Sequence, residues 1–164
     1  MISSDEYLKS PPEIAKELMR FFSHDENLVI LDIGACEALD AIKYSNMFPN
    51  ARVLAFEPLP TNLAKIEANL KKYGKSDIVV INEALSDTQG TATLFVSSGH
   101  PDNLPETDDW DYGNKSSSLL APHEIKQTHP WLKFNEEIEV HTNTLKNACQ
   151  KHNINAIDLI HMDV

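Results

Sequence analysis

LVILDIGA, residues 28–35, is an apolar run that stops at an acid and a glycine. A strand that is apolar at nearly every position is buried on both faces, as in a parallel sheet covered by helices. The same rhythm returns downstream. A helical stretch runs from about Glu37 to Phe48, and Pro49-Asn50-Ala51 makes a turn. RVLAFEP, residues 52–58, is a second buried strand that ends in Glu57. The next helix places Leu63, Ile66, Leu70 and Tyr73 on one face, with Gly74 as its stop. DIVVINEAL, residues 77–85, is a third strand. Three strand-helix repeats predict an α/β fold with a mostly parallel sheet.

The rhythm changes on either side of this core. Upstream, Ser10, Pro11 and Glu13 have the order of a capping box, followed by Ile14, Leu18, Phe21 and Phe22 at helical spacing. A helix is therefore expected from there to about Ser23, and residues 1–27 form an N-terminal helical segment ahead of a domain at 28–164. Downstream, TATLFV at 91–96 is a short strand. Residues 97–118 are polar, with Asp102, Asp108, Asp109 and Asp111 and little periodicity. A stretch of that kind is a mobile cover over a site or a solvated surface. IEVHT at 138–142 is a strand, a short helix follows from about Leu145 to His152, and AIDLIHMDV at 156–164 is a further apolar strand.

Composition narrows the classes of function. The chain has 164 residues, 41% hydrophobic and 24% charged, which suits one globular domain. The formal net charge of −11 argues against nucleic acid or an anionic membrane as partner, since both are bound through Lys and Arg. No apolar run is long enough to span a bilayer, and the first residues have no secretory pattern. Cys36 and Cys149 are read as free thiols in a reducing cytoplasm. The histidines lack metal-ligand spacing, so no metal is expected. Asn114-Lys115-Ser116 matches a glycosylation sequon and is read as chance.

Asp32, Gly34 and Glu57 each stand at the carboxyl end of an expected parallel strand, where ligands of open α/β sheets bind. A dinucleotide would need glycines to let backbone approach its pyrophosphate. Here Gly34 is followed by Ala35, Glu37 and Ala38, and Asp32 and Glu37 bring negative charge to that turn. S-adenosylmethionine suits the turn better. It has no phosphate, its ammonium and sulfonium groups favour acidic surroundings, and its ribose diol offers two donors to one carboxylate. Glu57, one strand-helix unit after Gly34, is placed for the ribose. For Asp32 a second reading stands, as a cap on the following helix. For Glu57 the second reading is an exposed strand end.

These same residues open a wider likeness. VILDIGACEALDA and VLAFEPLPTNLAKIEANL, at 29–41 and 53–70, resemble the first segments of FkbM-type methyltransferases, including the late Asn69. NEALSDTQGTATLFV, SSSL, VHTNTL and IDLIHMDV resemble later segments in the family's order. The resemblance covers about Leu28 to Val164. It implies a Rossmann-like methyltransferase fold, S-adenosylmethionine as cofactor, and methyl transfer to a hydroxyl of a small molecule or sugar. It implies a cofactor site of Asp32, Gly34, Ala35, Glu37, Glu57 and Pro58, with Glu83 and Ala84 toward the adenine. It places Asp163 near the transferred methyl, with His161 expected on the same side of the strand. Either is a candidate base if the acceptor must lose a proton. Glu83, Ala84, Ser117 and Ser118 read equally as plain loop, and His161 as a buried, satisfied histidine.

The sequence departs from the family at Ala38, where Gly is usual, at His161 for Lys, and at Lys146 for Asp. The family pattern also continues beyond its D-V. The sheet is thus expected to lack its C-terminal strands here, with 156–164 a central strand of a longer chain. A non-catalytic module that binds S-adenosylmethionine or a nucleoside is the alternative from another class.

Overall fold

Val29–Ile33 forms β1, and its alternate side chains serve two cores. Ile30 packs with Val53, Ala55, Ala41, Ile42, Phe48 and Ile66 on one face of the sheet. Leu31 and Ile33 pack with Leu54, Phe56, Ala148 and Ile154 on the other. This is why the run is apolar without a break: both faces are covered. The computed structural model describes residues 3–104 and 111–164.

Arg52–Phe56 (β2) pairs in parallel with β1, and Val79–Ile81 (β3) in parallel with β2. Leu159–Met162 (β7) pairs in parallel with the other edge of β1. The order is β3-β2-β1-β7, so the succession of strands reverses between β1 and β7. A crevice at the carboxyl ends follows from such a reversal. Leu39–Met47 (α3) and Pro60–Tyr73 (α4) cover one face. Leu145–Lys151 (α6) covers the other, capped by Thr144, whose side chain accepts the N–H of Asn147 at 3.1 Å. Gly74 ends α4 with a φ of 66°, as its position after the apolar stripe predicts.

A second sheet joins the first. Its order is Ala84–Leu85 (β4), Lys133–Asn143 (β6) and Gly90–Ser98 (β5), with β5 antiparallel to β6 and β4 parallel to it. Glu136, Glu137 and Glu139 lie on β6, and their charge hides the first half of that strand from a hydropathy reading.

Several expectations are corrected. The run 77–85 is two strands in two sheets, not one. β3 ends at Ile81, whose carbonyl accepts the Glu57 N–H at 3.0 Å, and the chain turns through Asn82 and Glu83 before β4. Apolar residues flank the turn on both sides, so periodicity does not reveal it. The helix from Ser10 to Ser23 is reduced to Ala15–Leu18 (α2). The residue before a proline avoids the helical region, and Ile14 at the cap offers no side-chain acceptor. Leu18 and Phe22 still meet the core, while Phe21 is 77% exposed. A short helix at Ser4–Tyr7 (α1), capped by Ser3, was not foreseen. Residues 97–118 are not structureless where described. β5 runs to Ser98, a 3-10 turn spans Gly113–Ser116, and Ser118 bridges Phe95. Asp108 and Asp109 lie outside the described residues. Finally, α3 begins at Leu39 rather than Glu37, because Cys36 and Ala38 have left-handed φ values of 51° and 58°. One further short helix, Ile125–Thr128 (α5), precedes β6.

The strand expected at 156–164 shortens to β7. Among the described strands it pairs with β1 alone, and Ile160 and Met162 are 41% and 57% exposed. The N-terminal segment packs on the main layer: Tyr7 donates to Asp40 Oδ1 at 2.8 Å, and Leu8 meets the core.

Candidate functional site

The carboxyl ends of β1, β2, β3 and β7 surround a cavity of about 300 Å³. Its walls include Gly34 and Cys36 after β1, Glu57 and Pro58 after β2, Glu83 and Ala84 after β3, and Asp163 after β7. Leu94 of β5 and the turn carrying Asn114, Lys115, Ser117 and Ser118 close the far side.

The turn after β1 has little freedom. Gly34 has a φ of 80°, and a Cβ on it would lie 2.2 Å from the Asp163 carbonyl oxygen. Conformation and space therefore both require glycine. The N–H groups of Gly34 and Ala35 both donate to the Phe56 carbonyl at 3.0 Å. The Cys36 N–H donates to Glu57 Oε2 at 2.8 Å. The Leu59 N–H donates to Glu57 Oε1 at 2.8 Å. Glu57 is thus buried, fixed through both oxygens and turned to the cavity wall. Burial pushes its carboxyl above the usual range, and the hydrogen bonds from Leu59, Cys36 and Asn62 oppose that shift.

Glu83 is held differently. Asn143 Nδ2 donates to its Oε2 at 2.9 Å, and Lys151 pairs with its Oε1. Burial works against its ionisation, but Lys151 and Asn143 outweigh it and keep the carboxyl below its usual range. The second sheet and α6 thereby position an ionised acid on the cavity wall.

Six of the expected site residues are brought together on the wall: Gly34, Glu57, Pro58, Glu83, Ala84 and Asp163. Asp32, Ala35, Glu37 and His161 are not part of the lining. Asp32 is 2% exposed, and its Oδ2 accepts the Ala41 N–H in the first turn of α3 at 3.1 Å, which is the capping role. Its Oδ1 lies 3.2 Å from His161 Nδ1, off the line of a good hydrogen bond. Burial raises the Asp32 carboxyl above its ordinary range, and His161 opposes this. The Asp32 carboxylate in turn raises His161 above 6.5, against desolvation. The His161 ring stacks edge-on against Tyr44 of α3, 5.6 Å between centroids. His161 therefore packs beside Asp32 under α3, while Asp163 meets the cavity. The two do not share an environment, as strand alternation had suggested, because Asp163 lies beyond the end of β7.

Glu37 is 6% exposed and pairs with Lys65 of α4 at 3.3 Å, while Asn69 Nδ2 donates to its carbonyl at 2.9 Å. Burial pushes the Cys36 thiol up to about 11. Sequence reasoning missed Cys36, Asn62 and Asn114. Asn62, only 2% exposed, accepts from Asn114 Nδ2 at 2.7 Å. The serine-rich stretch docks on β5: Ser117 Oγ accepts the Ser97 N–H, and Ser97 Oγ accepts the Ser116 N–H, both at 3.0 Å. Asn114 of the sequon is engaged in this wall. Among the described residues no three His, Cys, Asp or Glu side chains form a metal-binding group.

These features define an α/β protein with its ligand cavity at the carboxyl edge of a parallel sheet. Residues 32–164 match the Methyltransferase FkbM domain, and the chain belongs to that family. It is 31% identical over 136 residues to 2-O-methyltransferase NoeI of Sinorhizobium fredii, covering 83% of this chain and 52% of that protein. It is 36% identical over 72 residues to AMB antimetabolite synthetase AmbE of Pseudomonas aeruginosa, covering 44% of this chain and 3% of that one. The chain thus spans about half the length of NoeI and a small part of AmbE. Among solved structures, precorrin-6y C5,15-methyltransferase from Geobacter metallireducens superposes with a TM-score of 0.36 at 34% identity, over 42% of this chain and 35% of that one. A SAM dependent methyltransferase from Aquifex aeolicus gives a TM-score of 0.36 at 16% identity, over 51% and 48%.

Proposed function

We propose that this domain binds S-adenosylmethionine in the cavity and that the protein transfers the methyl group to a hydroxyl of a small molecule or sugar. The fold we assign is the cofactor-binding half of a Rossmann-like methyltransferase. The observation that carries the reading is Glu57. A buried carboxylate fixed by two backbone N–H groups, on the wall of a cavity that also holds Gly34, suits a ligand with paired hydroxyl donors. The cofactor fits the residues present. Glu57, Glu83 and Asp163 are all among the residues that line it, and acidic surroundings suit a ligand carrying ammonium and sulfonium groups and disfavour a pyrophosphate. A cavity of about 300 Å³ lies within the range of small-ligand sites.

In this reading Glu57 holds the ribose, and backbone at Gly34 lines the methionine part without steric interference. Glu83 and Ala84 border the adenine. Asp32 acts from beneath, by fixing α3 and the turn, and Glu37 does so through Lys65. When bound, the cofactor supplies an electrophilic methyl group, so the protein has chiefly to align acceptor and methyl. Asp163 stands at the cavity and is the candidate to take an acceptor proton. His161 supports Asp32. The acceptor is proposed as a sugar or small-molecule hydroxyl because NoeI is a 2-O-methyltransferase. Two free thiols suit a reducing compartment, and we place the protein in the cytoplasm. No helix among the described residues is long and apolar enough to cross a membrane.

Titration calorimetry with S-adenosylhomocysteine and with NAD tests the reading. Saturable binding of the first and none of the second is expected; the reverse would assign the cavity to a dinucleotide. Binding without methyl transfer to any of a panel of sugars and phenols would leave a cofactor-binding module.

A further inference from the structure

One face of α4 joins three pieces of chain that wall the cavity. Asn62 and Lys65 lie one turn apart on that face. They reach Asn114 and Asp111, three residues apart at the 3-10 turn. Asn114 Nδ2 donates to Asn62 Oδ1 at 2.7 Å, and Lys65 Nζ meets Asp111 Oδ2 at 3.0 Å. Asp111 Oδ1 in turn accepts the N–H groups of Gly113 and Asn114 at 3.0 and 3.2 Å, which sets the shape of the turn. Two of these four residues also touch the turn after β1: Lys65 pairs with Glu37 at 3.3 Å, and Cys36 Sγ lies 3.8 Å from Asn114 Oδ1, while Asn62 lines the cavity with Glu57.

Packing alone does not call for this. Burying an amide is costly unless it is hydrogen-bonded, and an apolar residue would fill the position of Asn62 more cheaply. What the polar pair provides is direction: it fixes one wall of the cavity relative to another. We infer that Asn62 and Lys65 are positioning residues for the cofactor cavity, clasping Asn114 and Asp111 so that the turn at 113–118 stands as one of its walls. This rests on the reading of the cavity as the S-adenosylmethionine site. Lys65 is central because one ammonium bridges two acids on two different segments. Burial opposes its charge, but Asp111 and Glu37 outweigh it and hold its pKa above 10.5.

The test measures S-adenosylhomocysteine binding by calorimetry in the full-length protein, with Lys65→Met, Asn114→Ala and Lys65→Arg. Lys65→Met and Asn114→Ala should each raise Kd about three- to tenfold, the range for one partly exposed hydrogen bond or ion pair. Lys65→Arg keeps both bridges and should restore affinity to within about twofold. The double variant should lose less than the product of the single losses, since both act through one wall. Lys72→Met breaks an exposed pair with Asp5 elsewhere on α4 and should leave Kd unchanged. Unchanged Kd in Lys65→Met and Asn114→Ala, with or without a lower Tm, would overturn the clasp while the cofactor site stands. Failure of the wild-type protein to bind S-adenosylhomocysteine would overturn the cavity reading, and the clasp with it.

Discussion

Ala38 has a left-handed φ of 58° and no exposed surface, so its methyl group has nowhere to move. For an L-residue that conformation costs roughly 1–2 kcal/mol. Glycine would relieve it but lose a buried methyl, worth about 0.8 kcal/mol, and some chain entropy. Ala38→Gly should therefore fall within about 1 kcal/mol of wild type in urea unfolding, whereas the β-branched Ala38→Val should cost about 3 kcal/mol. Equal stability of the two would contradict the backbone described. At Glu57, substitution by Gln keeps the volume but turns an amide NH2 toward one of the two backbone N–H groups. Affinity for S-adenosylhomocysteine should fall about ten- to 150-fold, the worth of one charge-assisted hydrogen bond. An unchanged Kd would remove Glu57 from the ribose. His161 adds a pH dependence. Its folded-state pKa is raised above 6.5 by Asp32, so the folded state favours the protonated ring. The pair's contribution is complete below about 6.5 and is lost as pH rises through the higher folded value. Tm should decline over that window in wild type and stay flatter in His161→Gln, whose loss of the titration can be followed by fluorimetry across pH 6–9. Gly34 and Glu57 could be picked from the sequence because an acid or glycine closing an apolar run is conspicuous, whereas Asp32, picked on the same ground, turns under α3 and lies off the cavity wall. Asn62 and Asn114 sit among other polar residues, and only the three-dimensional contact singles them out.

Among the elements, the buried parallel strands were legible because their apolar runs are continuous, and α4 because its stripe ends in Gly74. The division of 77–85 between two sheets was not, since Val79–Ile81 and Ala84–Leu85 are equally apolar and the pairing that separates them is with Thr142 and Asn143 of β6, far along the chain. β6 was half visible: Glu136, Glu137 and Glu139 face outward along a strand whose pairing with β5 supplies its stability. The expected mobile cover at 97–118 is replaced at its described end by a docked turn. Phe95 N–H donates to Ser118 O at 2.9 Å, and Ser118 N–H to Phe95 O at 3.1 Å. The amides of Phe95, Ser97, Ser116 and Ser118 should thus exchange slowly even without ligand. Fast exchange at all four in the free protein would show that the turn docks only after ligand binds.

On the scale of the whole molecule, two sheets meet at the cavity and each supplies part of its wall. Among the described strands β7 pairs with β1 alone, and Ile160 and Met162 are exposed on it. β7 is also bound to β1 across a wide span of chain: the Val29 N–H donates to Asp158, 129 residues away, at 2.7 Å. A ribosome makes the turn at Gly34 long before it makes the strand that rests against it. Until β7 emerges, the growing chain holds an open β1 edge and half a cavity. Folding must therefore wait on one of its most distant contacts, which slows it and leaves the nascent protein dependent on whatever shields that edge in the interval.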